Sequence, residues 1–109
     1  MTQIKKLVLI TLASLFVTSQ ATAKPARCFT TTDGYYNCDF RAVGGDGSFI
    51  ISAPGIPTFT LQMSEPGVAY GFARFNGGRN VSLPGQYFRS SQDRACWIND
   101  STNTKICAW

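Results

Sequence analysis

The sequence predicts an all-β fold: a small antiparallel β-sandwich or barrel of about eight short strands, stapled by two disulfides. Three observations predict it. Turn signals recur from Asp33-Gly34 to Pro84-Gly85, too closely spaced for an ordinary helix between them. The segments between them carry strand formers. Cys28, Cys38, Cys96 and Cys107 are the only cysteines, an even number in a short chain.

The N-terminal part reads differently. Lys5 and Lys6 are followed by an apolar run from Leu7 to Val17, and then by Ala21-Thr22-Ala23 before Lys24. This order is that of a cleavable signal peptide over residues 1–23, and it leaves residues 24–109 as a single secreted domain. The run is shorter than the roughly 20 residues a membrane-spanning helix needs. The expected compartment is the periplasm or medium of a Gram-negative bacterium. Two of the ten cationic side chains leave with the signal, so eight face six acids and the net charge falls from +4 to +2. That is too little for a nucleic-acid partner.

A domain of this size buries too little surface to be stable on its core alone. The cysteines answer this as two disulfides. Three pairings are possible; hairpin geometry favours Cys28–Cys38 and Cys96–Cys107. In the first hairpin, a loop at Thr32-Asp33-Gly34 sets Cys28 directly opposite Cys38. In the second, Cys96 faces Cys107 and Trp97 faces Ile106 across the polar loop from Asn99 to Thr104. No pair of cysteines has C-x-x-C spacing and there is no histidine, which argues against a redox or metal role for the thiols.

Between the hairpins, Ser48 to Ala53 is a short apolar strand. Thr58 to Met63 alternates, with Phe59, Leu61 and Met63 on one face. Val68 to Phe75 places Val68, Tyr70 and Phe72 on one face, and Asn80 to Leu83 makes a further short strand. Gln86 to Ala95 lacks breakers and has room for a helical turn.

Tyr70, Phe75 and Gly77 are spaced as at the start of a βγ-crystallin Greek key, and Asn99-Asp100 leading to Asn103-Thr104 is similar to that family's calcium-binding stretch. Asn103 stands where the family has Ser or Thr. The resemblance implies an oxygen-ligand calcium site near Asn99 and Asp100.

Chemistry is sparsely provided. Without histidine, Ser-His and Cys-His arrangements are excluded. Asp33, Asp46 and Glu65 sit at turns, where Asp bonds its own backbone. Asp39, Asp93 and Asp100 remain, with no spacing that pairs them. The residues therefore point to a non-enzyme, with no cofactor and no metal of their own. Aromatics are in excess. Tyr36, Tyr87, Arg89, Trp97, Asn99 and Asp100 are the candidate ligand-binding residues, because rings beside amides, acids and Arg suit a protein or glycan partner. The expectation is a monomeric, exported binding or envelope-associated domain. The alternative is a secreted inhibitor or effector of a partner enzyme, inserting a stiffened hairpin tip such as Asn99 to Thr104.

Overall fold

A computed structural model gives the fold and describes residues 23–109. The expected signal peptide lies outside the described residues, apart from Ala23. No helix among them is long and apolar enough to cross a membrane. Nine strands are present among the described residues: β1 Lys24–Thr30, β2 Gly34–Val43, β3 Ser48–Ala53, β4 Ile56–Glu65, β5 Val68–Arg74, β6 Asn80–Ser82, β7 Tyr87–Arg89, β8 Cys96–Asn99 and β9 Lys105–Ala108.

The strands run in the order β4-β3-β2-β1-β9-β8-β7-β5, and a β4–β5 pairing closes these eight into a barrel. Every pairing is antiparallel. The ninth strand, β6, shares an edge of β5: Val68 and Ala69 pair with β7, and Phe72 to Arg74 pair with β6. Closure removes the free edges that would make a small sheet sticky. Strands that are neighbours in the chain mostly pair with each other, so the topology is a meander. The Greek-key crossover implied by the βγ-crystallin resemblance is absent among the described residues.

Two hairpins turn on Pro-Gly. Ala53 pairs with Ile56 around Pro54-Gly55, and Glu65 pairs with Val68 around Pro66-Gly67. Gly55 and Gly67 have φ of 76° and 79°, which the second central residue of such a turn requires.

Side-chain alternation builds the core. Leu61 and Ile51 are fully buried, and Phe49, Tyr87, Trp97 and Ile106 nearly so. Phe40 stacks on Phe49 at 5.1 Å, and Phe49 lies 6.5 Å from Trp97. The inward residues of β5 are small: Ala69, Gly71 and Ala73. A Cβ on Gly71 would sit 2.5 Å from Tyr87 Cε1, so the tyrosine takes the space that a larger β5 residue would fill. The expected face of Val68, Tyr70 and Phe72 therefore turns outward.

Both disulfides form as expected, Cys28–Cys38 and Cys96–Cys107. The first belongs to the core. The second is on the outer face, because Trp97 and Ile106, paired across β8 and β9, point inward and their neighbours alternate outward.

Two expectations are corrected. Cys28 does not face Cys38. Thr30 pairs with Gly34, Cys28 with Tyr36 and Ala26 with Cys38, so the disulfide runs diagonally. The turn itself causes this shift. Thr30 Oγ1 donates to Asp33 Oδ2 at 2.8 Å and accepts from the Asp33 N–H at 2.9 Å, which places the loop at Thr31 to Asp33, one residue earlier than expected. The diagonal partner keeps the same pleat face, and the Cα atoms are 5.9 Å apart. The second correction concerns Gln86 to Ala95, which holds no helical turn. Tyr87 to Arg89 are claimed by β8, and Ser90 Oγ and Asp93 Oδ1 cap the bends that follow.

Candidate functional site

Antiparallel alternation sorts the turns into two ends. One end carries the β1–β2, β3–β4, β5–β6 and β8–β9 turns. Here a cavity of about 250 Å³ opens at the barrel mouth. Its walls are apolar: Pro57 and Phe59 from β4, Leu83 and Pro84 from the β6–β7 link, Tyr87 from β7 and Ile106 from β9. Phe75 stands at the rim and is 49% exposed. Polar groups ring the opening, namely the threonines Thr31, Thr32, Thr102 and Thr104 and Asp33, with the backbone of Lys105 beside them.

The rim is built before any ligand arrives. The Thr31 N–H donates to the Lys105 carbonyl at 3.1 Å, and the Lys105 N–H donates to Thr31 Oγ1 at 2.8 Å. These bonds tie the β1–β2 turn to β9. A second seam joins the β6–β7 link to the β8–β9 turn. Asn99 Nδ2 donates to the Pro84 carbonyl at 2.7 Å, and Asp100 Oδ1 accepts from the Gln86 N–H at 2.9 Å. Asn99 is 1% exposed, and its Oδ1 also accepts the N–H groups of Ser101 and Thr102. Thr102 and Thr104 share a 2.7 Å hydroxyl bond.

The six expected binding residues divide. Tyr87 and Asn99 line the mouth. Asp100 fixes the turn beside it. Tyr36 points into the barrel among the core residues. Its hydroxyl is buried without a hydrogen-bond partner, and burial, reinforced by the Asp33 charge, pushes its pKa up to about 12. Arg89 and Trp97 lie towards the opposite end, with the guanidinium 5.3 Å above the indole ring and Arg89 Nε donating to the Arg94 carbonyl at 2.7 Å. The structure thus does not gather all six into one site.

Sequence reasoning missed Phe59, Leu83, Ile106 and the threonine rim. One signal was available: Thr30 to Thr32 and Thr102 to Thr104 occupy the tips of the two disulfide-clamped hairpins. A closed barrel brings those tips to one end.

Four of the six acids are occupied locally. Asp33 bonds Thr30, Asp46 accepts the Ser48 N–H, Asp93 accepts the Ala95 N–H, and Asp100 accepts the Gln86 N–H. The Ser48 hydroxyl and then its N–H hold the Asp46 carboxyl below its ordinary range. In the stretch similar to the calcium-binding one, the side-chain oxygen of Asn99 is already shared by two N–H groups of its own turn.

No family model, curated protein or solved structure matches the chain.

Proposed function

We propose that the chain is exported to the periplasm or medium of a Gram-negative bacterium and acts there as a small, non-catalytic binding domain. Its two disulfides suit an oxidising compartment. The observation that carries the reading is the apolar cavity under a rim held by hydrogen bonds at two seams. Such a pocket loses little freedom when it binds. Its size sets the guest. An apolar cavity of roughly 150 Å³ holds benzene, and drug-sized pockets begin near about 300 Å³. At about 250 Å³ the mouth takes one ring-sized apolar group, presented by an envelope protein or glycan, with its polar end among the threonines.

The test has two arms. Indole and benzyl alcohol at millimolar concentration should raise the melting temperature of the oxidised protein. Immobilised protein should retain a component of envelope or culture fractions in competition with indole. If neither small probe stabilises the protein and nothing retained is displaced, the reading fails.

A second reading has its own observation. The turn from Asn99 to Thr104 is stiffened from within by buried Asn99, as an inserting inhibitory loop would be. A panel of lysozymes and proteases that all run at full rate with excess protein would set it aside.

A further inference from the structure

The outer wall of the barrel, just below the rim, carries an aromatic group that folding leaves exposed. Tyr35 and Trp109 stack across β1 with centroids 5.9 Å apart and planes 28° apart. Phe29 adjoins Tyr35 at 4.8 Å. Tyr35 is 63% and Trp109 48% exposed. Neither ring hangs loose. Trp109 Nε1 donates to Asp93 Oδ2 at 3.0 Å, and its backbone N–H donates to the Arg27 carbonyl at 2.9 Å. Two cations sit on the ring faces: Arg27 lies 5.5 Å from the centre of Tyr35 and Lys105 5.6 Å from that of Phe29.

We infer that this wall is a platform for an acidic oligosaccharide. The exposed part is the pair Tyr35 and Trp109, 28° from parallel, with Phe29 tilted 56° from Tyr35 beside them, so the ligand lies along an open aromatic step. A sugar ring fits because its axial C–H bonds, weakly positive, meet the negative faces of the aromatics. Charge is the second feature. A guanidinium or ammonium on a ring face is partly desolvated but keeps N–H donors free at its edge. Those donors suit a carboxylate fixed on the same flat ligand. An acidic peptide carries its carboxylates on flexible stems and offers no flat apolar face, so it fits less well. The anchored rings reduce the ordering cost of binding.

Calorimetric titration of the oxidised protein with a galacturonate hexamer tests this, with maltohexaose as the neutral control and a short polyglutamate as the acidic-peptide control. The expected result is binding to the hexamer alone, weakened at least tenfold by Tyr35→Ala and weakened by Arg27→Gln. Arg27→Gln should also flatten the salt dependence. Tyr35→Ala loses the ring contacts to Trp109 and Phe29, so the titrations are run well below its melting temperature, where both proteins are folded and the comparison stays readable. Absence of binding, equal binding of polyglutamate, or a folded Tyr35→Ala protein that binds unchanged would each overturn the inference. The indole arm at the mouth is independent of all three results.

Discussion

Gly71→Ala tests the packing beneath the mouth with one carbon. The backbone permits it: among the glycines, Gly71 is not one that needs a positive φ. An alanine there gains roughly 0.4–1 kcal/mol by restricting the unfolded chain. Against that gain stands the clash. The new Cβ would lie 2.5 Å from Tyr87 Cε1, 3.0 Å from Cδ1 and 3.3 Å from Leu83 Cδ1. Carbon atoms prefer about 3.5–4.0 Å, so the tyrosine ring must retreat by about 1 Å. Tyr87 is 3% exposed, and the open space it borders is the mouth cavity. Overpacking of this kind costs about 1–3 kcal/mol. The clash outweighs the gain, leaving a net loss of about 0.5–2 kcal/mol. For a domain of this size that lowers the melting temperature by roughly 2–16 °C. Urea unfolding of the oxidised protein measures it, with the midpoint falling at constant slope. The ring should also move into the cavity, so indole should stabilise the variant less than the wild type. An unchanged midpoint together with unchanged indole stabilisation would refute the packing described here.

Other predictions follow from single contacts. Asn99→Ala strands the N–H groups of Ser101 and Thr102 and the Pro84 carbonyl, at a cost of about 2–4 kcal/mol, and hydrogen exchange should speed up in the β8–β9 turn. Replacing either cysteine pair by alanine should cost about 3 kcal/mol by chain entropy, since the pairs are 10 and 11 residues apart, and urea midpoints of the two variants should lie close together. The raised pKa of Tyr36 gives a signed pH dependence. Folding keeps the phenol neutral, so its contribution is complete below the ordinary value of 10.0 and is lost as pH rises towards about 12. Tyr36→Phe should flatten that alkaline decline, and absorbance titrations should show a late-ionising phenol in the wild type that the variant lacks.

Local signals were legible in the sequence, and distant ones were not. The register of the second hairpin could be read because Cys96 and Cys107 face each other, and Trp97 and Ile106 do so directly behind them. The first hairpin misled by one loop position, because the hydrogen bonds of the Thr30 and Asp33 side chains outweighed the Asp33-Gly34 turn signal. Gln86 to Ala95 looked open to helix because its strand residues are claimed by β5 and β8, which no window around Tyr87 reveals. Closure between β9 and β1, and between β4 and β5, decided which end each turn occupies. Beyond the threonine tips, Tyr87 and Asn99, the mouth could not be read in advance, since its walls come from Pro57, Leu83, Tyr87 and Ile106 on four separate elements. Asn99 stands among the candidate binding residues. Its structural role is to brace the turn with its side chain at the rim.

The most direct measurement is a nitrogen-15 NMR titration of the oxidised protein with indole. The account predicts saturable shifts at the amides of Thr30 to Asp33, of Leu83, Gln86 and Tyr87, and of Asn99 to Ile106, and their loss in Leu83→Trp, which fills the cavity. Shifts confined to the outer wall around Tyr35 and Trp109, or no shifts at all, would contradict it.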